Sequence, residues 1–94
     1  MATTRLVANQ LQEPYTAPHF DTVEEEADHL LESMLAAIAK DDRHVVREGW
    51  VRRHFVCALS GFGLKRVRRA IKCLVDQGRV RLAQYDGEQW IQIV

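Results

Sequence analysis

Residues 63–94, GLKRVRRAIKCLVDQGRVRLAQYDGEQWIQIV, decide the fold. At the helical period of about 3.6 residues, Leu64, Val67, Ala70, Ile71, Leu74 and Val75 fall on one side. Lys65, Arg68, Arg69 and Lys72 fall on another, with Arg66 at the margin. Gly78 stands where a helix ends in a left-handed residue, a conformation glycine adopts without steric cost. Beyond it the chain alternates. A two-residue type I′ turn at Asp86-Gly87 would oppose Leu82 to Ile91, Val80 to Ile93 and Gln84 to Gln89. All the apolar residues of both strands then share one face, and a slip of one residue would scatter them. The opposite face would carry Arg81, Ala83, Tyr85, Trp90 and Gln92, with Trp90 exposed as a candidate protein contact.

Upstream, the spacing predicts a second helix over residues 48–59, burying Val51, Phe55, Ala58 and Leu59 with Trp50 or Val56 at its margin. Ser60-Gly61-Phe62-Gly63 is the turn between helices, with Phe62 plugging the core. His44, Val45 and Val46 read as a short strand. A first helix of about 18 residues ends near Lys40, on the period of Val23, Ala27, Leu30, Leu31, Met34, Leu35 and Ile38. Asp21 or Thr22 supplies its capping box, and its acids form a solvated outer face. Residues 1–20 contain Pro14 and Pro18, lack a sustained period and read as an N-terminal arm. Residues 21–94 are then the folded domain.

The basic helix GLKRVRRAIKCLVDQ, the stop and strand GRVRL, and the closing DGEQWIQIV together resemble the second half of a winged helix-turn-helix. The resemblance spans about residues 22–94. It implies a mainly α fold with a small antiparallel sheet: three helices and a C-terminal β-hairpin wing. It also implies a DNA reader whose third helix, residues 63–77, enters the major groove. The chain departs from the commoner pattern in having Gly63, rather than Ser or Thr, before that helix, and two glycines in the turn.

Charge supports a polyanionic partner. The chain has 13 basic and 13 acidic residues, yet the signs are segregated. Residues 1–42 carry nine acids against Arg5 and Lys40, and residues 43–94 carry eleven Lys and Arg against four acids. Such a split argues for one basic face, the alternative being neutralisation of one end by the other. On a docked third helix, Lys65, Arg66 and Arg69 are expected near base edges, since Arg can pair bidentately with guanine. Arg68, Lys72, Arg52 and Arg53 are expected on phosphates, and Arg79 and Arg81 on backbone near the base of the wing. The wing tip, Asp86-Gly87 followed by Glu88, is acidic and makes no such contact.

Other classes find little in the sequence. His54, Cys57 and Cys73 would suit zinc, but no CxxC pair accompanies them, and the cysteines read as small buried residues. No Walker loop, GxGxxG, GxSxG or HExxH occurs, so neither an enzyme nor a cofactor is expected. Two cysteines, no apolar run of the ~20 residues that spans a bilayer, and no secretory pattern make the cytoplasm the expected compartment. The expected partner is double-stranded DNA, read by a homodimer joined through the N-terminal arm and first helix. That describes a small transcriptional regulator, with replication or chromosome organisation open on the same fold. The alternative is a winged helix serving as a protein–protein module in a larger assembly.

Overall fold

Thr22 opens the first helix. In the computed structural model, which describes residues 19–94, its backbone is extended and its hydroxyl oxygen accepts from the Glu25 N–H at 3.1 Å. The same hydroxyl lies 3.1 Å from Glu25 Oε1, to which it donates. Of the two capping boxes the sequence allows, the Thr22–Glu25 one therefore forms. Helix α1, Val23–Lys40, buries Ala27, Leu30, Met34 and Ala37 along one stripe and stops at Asp41, whose φ of 53° is left-handed. Glu26 is buried too, against the expectation of a fully solvated acidic face. Substituting Ala for Thr22 should cost about 1 kcal/mol, read as a lowered midpoint in urea unfolding.

The chain departs most from its sequence reading between residues 45 and 60. In place of a long second helix there is a hairpin: β1, Val46–Arg47, pairs antiparallel with β2, Trp50–Arg52. Glu48 and Gly49 make the turn with φ of 53° and 82°, the positive pair that a type I′ turn needs. Strand β2 then pairs with the last strand of the chain through Val51–Ile91 and Arg52–Trp90. Val51 is buried as expected, but as a strand residue. Only after Arg52 does the backbone coil, through a 3-10 turn at Arg53–Phe55 into a short helix α2, Val56–Ser60. Val56 is fully buried there, Phe55 and Leu59 are half-buried, and Ala58 is exposed.

The C-terminal third follows its sequence reading closely. Helix α3, Leu64–Asp76, starts at Gly63 without a side-chain cap. At its end the Arg79 N–H donates to the Leu74 carbonyl and the Gly78 N–H to that of Val75, both at 2.9 Å. Gly78 has φ 72°, which completes a Schellman stop. Strands β3, Val80–Tyr85, and β4, Glu88–Ile93, pair with Leu82 opposite Ile91, Val80 opposite Ile93 and Gln84 opposite Gln89, the expected register. Asp86 and Gly87 both have positive φ, 54° and 80°.

Three helices thus pack on a four-stranded antiparallel sheet of order β1-β2-β4-β3. The α1 stripe meets Val67, Ala70, Ile71 and Leu74 of α3, with Phe62 fully buried between helices and Val51, Val80 and Ile91 closing the sheet side. Strand β2 also changes the far side of the hairpin. Trp90, expected to be exposed, is 5% exposed, because β2 lies beside β4 and sets the Arg52 guanidinium carbon 4.6 Å above its ring. Leu82, expected in the core, is 44% exposed.

Candidate nucleic-acid interface

Five cations crowd residues 65–72, and folding divides them by helical phase. Successive residues step about 100° around α3, so Arg66 and Arg69 lean toward α1 while Arg68, Lys72 and Val75 lean the other way. The first pair converges on Glu26. Arg69 grips both of its carboxylate oxygens, Nε to Oε1 at 2.8 Å and Nη2 to Oε2 at 2.9 Å. Arg66 adds Nε to Oε2 at 2.9 Å and lays its guanidinium carbon 4.2 Å over the Phe62 ring. Each charge-assisted bond is worth roughly twice a neutral one. Arg66 and Arg69, expected at base edges, are thus drawn onto α1, and Arg69 belongs with Arg66 rather than with Lys65, Arg68 and Lys72.

The cluster sets the charge state of Glu26. Hydrogen bonding from Arg69 lowers its pKa, burial opposes this, and Arg66 adds to the lowering, leaving the carboxyl below the ordinary glutamate value. The Arg69 pKa is raised, chiefly by its hydrogen bonds to Glu26. For a carboxyl depressed by folding, stability is fully present above the unfolded-state value and is lost as pH falls through the folded one. Acidification below the ordinary glutamate range should therefore weaken the fold. Glu26→Gln should flatten that part of the profile, read from urea midpoints over a pH series.

Other cations are partly engaged as well. Arg79 Nη1 reaches Asp28 Oδ1 at 2.7 Å, Lys72 Nζ reaches Asp76 Oδ2 at 3.0 Å, Arg52 pairs with Glu88, and Arg81 donates to Gln92. The segregated charges of the sequence therefore neutralise each other in part, across the α1–α3 contact. Arg53, Lys65 and Arg68 make no ion pair or side-chain hydrogen bond to another described residue.

Two of these flank an open groove. Arg53, Arg68 and Lys72 line a cleft of about 310 Å³ between α3 and the β3–β4 hairpin, whose apolar lining is Ile71, Val75 and Leu82. Lys65 stands one turn back from Arg68 and Lys72 toward the start of the same helix. The 3-10 turn after β2 is what brings Arg53 here. On the long helix read from the sequence it would have stood elsewhere.

Burial raises the Cys73 pKa, and nearby Glu24 and Asp76 add to the rise. Its thiol therefore stays protonated and a poor nucleophile. Among the described residues no three His, Cys, Asp or Glu side chains gather as a metal site, so His54, Cys57 and Cys73 do not converge. No described helix is long and apolar enough to cross a membrane. The N-terminal arm expected at a dimer contact lies, for residues 1–18, outside the described residues. No protein-family model, curated protein or solved structure matches this chain.

Proposed function

We propose that this protein binds double-stranded DNA as a winged helix-turn-helix protein does, with the Lys65–Arg68–Lys72 flank of α3 in the major groove. The observation that carries this is the groove between α3 and the hairpin, where Arg53, Arg68 and Lys72 stand around an apolar floor. Cations held on a rigid helix beside an open cleft suit a duplex. Phosphates take the point charges, and apolar groups such as Leu82 and Val75 suit thymine methyls. Base reading falls to Lys65 and Arg68, since Arg66 and Arg69 are committed to Glu26. Arg53 and Lys72 are phosphate contacts in this reading. Arg52, tied to Glu88 and Trp90, contributes little to it, as does Arg79 with its Asp28 partner.

One helix of 13 residues reads only a single half-site, so the proposal includes a two-fold dimer spanning half-sites ~34 Å apart. Sedimentation of the intact chain with and without a palindromic duplex tests that part. The binding itself is tested by titrating random duplex at two salt concentrations. Affinity should fall steeply, with a log–log slope near −0.9 for each neutralised phosphate.

The protein-docking reading draws on a different observation in the same groove: Val75 is 40% and Leu82 44% exposed, apolar surface that a protein partner would cover. No duplex binding at low salt would favour it.

A further inference from the structure

The sheet has a second concave surface, on the side away from the helices. Strand pairing puts Trp50 and Arg52 of β2, Trp90 and Gln92 of β4, and Arg81, Ala83 and Tyr85 of β3 on this outer face. Across the sheet, Trp90 lies between Ala83 and Arg52. Trp50 and Tyr85 occupy the neighbouring rows on either side of it, on opposite strands. The result is a cup of about 490 Å³ lined by Trp50, Trp90, Tyr85 and Ala83, with Arg47 and Glu48 reaching in from the β1–β2 hairpin. That size is within the ~300–1,000 Å³ range of small-ligand sites.

Its chemistry narrows the occupant. Trp90 forms a buried floor, Trp50 is half-buried and Tyr85 is 67% exposed, so aromatic faces are offered at three depths. Cations surround them. Arg47 pairs across the strands with Trp50, and the Arg81 guanidinium carbon is 5.8 Å from the Trp50 ring centroid. Trp90 Nε1 and Arg52 Nε are buried donors without an acceptor, an unmet demand in a folded protein. A flat ring with carbonyl acceptors and an attached anion meets all three conditions. A quaternary ammonium, which aromatic cages also hold, would face the repulsion of Arg47, Arg52 and Arg81.

We propose that this cup binds an unstacked nucleobase of a single-stranded nucleic acid. The base stacks on Trp50 and Trp90, and the adjoining phosphates lie on Arg47 and Arg81. Stacking of single-strand bases on aromatic side chains beside a cationic track is a general mode of such binding. The site is separate from the α3 groove and does not depend on duplex binding there.

The protein carries its own reporter, since its two tryptophans both line the cup. Titration of the full chain with a short oligothymidylate should quench tryptophan fluorescence saturably. Trp50→Ala should weaken binding roughly 10-fold or more, the usual scale for one stacked base, and Trp50→Phe should keep most of it. Arg47→Ala with Arg81→Ala should leave the cup intact and reduce both affinity and salt dependence. Arg53→Ala, Arg68→Ala and Lys72→Ala together should leave the quenching unchanged, which separates this site from the groove. Absence of quenching at millimolar thymidine monophosphate and at micromolar oligothymidylate would overturn the proposal. So would equal affinity in a folded Trp50→Ala variant, loss of quenching in the groove variant, or saturable quenching by a trimethyllysine peptide alone.

Discussion

Replacing Arg66 and Arg69 together with alanine should lower the melting temperature by about 10 °C or more, although both residues lie on a helix whose cations appear surface-bound in sequence. The cause is Glu26. Its side chain is 4% exposed, and in the double variant it keeps its place against α3 without the bonds that Arg66 and Arg69 supply. A carboxylate stripped of its partners in such a position must stay charged and unpaired or take up a proton, and either choice opposes folding. Replacing all three residues at once, Glu26→Leu with Arg66→Met and Arg69→Met, should recover most of the loss, since apolar groups of similar size need no partner. A double variant that melts with the wild type would mean that Glu26 is not held by these arginines in solution. Measured well below its melting temperature, the Arg66–Arg69 variant should retain most of its duplex affinity, because neither side chain lines the groove.

Replacing Arg53, Arg68 and Lys72 with alanine should have the reverse profile. Duplex affinity should fall about 100-fold or more at low salt, and the log–log salt slope should shrink by about 2 to 3, one counterion for each lost phosphate contact. The melting temperature should move by only a few degrees. Arg53 and Arg68 have no partner among the described residues, and Lys72 gives up one exposed i,i+4 pair with Asp76, worth about 0.3–0.5 kcal/mol. Gel-shift titrations at several salt concentrations, beside thermal melts of the same preparations, separate the two effects. Unchanged affinity and slope in a folded triple variant would remove α3 and its groove from DNA binding. Together the two variants divide the basic helix into a flank that holds the domain together and a flank free to meet a ligand.

Sequence alone determined whatever is carried by local periodicity and turn chemistry. Residues 23–40 and 64–76 repeat their apolar positions at helical spacing and have recognisable ends, Thr22 before the first and Gly78 after the second. Asp86-Gly87 between alternating runs set the register of β3 on β4 to the residue. The same signal lay unread in VVR-EG-WVR. Glu48-Gly49 stands between β-branched and aromatic residues as Asp86-Gly87 stands in AQY-DG-EQW, and it forms the same kind of turn. There the apolar spacing of Val51, Phe55 and Leu59 also fitted a helix. Local pattern could not choose, because what stabilises β2 is hydrogen bonding to β4, some forty residues later in the chain. Tertiary structure decided that competition, and with it the placing of Arg53 on the groove and of Trp50 and Arg52 beside Trp90. It also decided the fate of the charges. Sequence counts cations and assigns their helical phase, but which of them are available depends on what stands opposite. Glu26, forty residues before Arg66, becomes a partner only when α1 packs against α3.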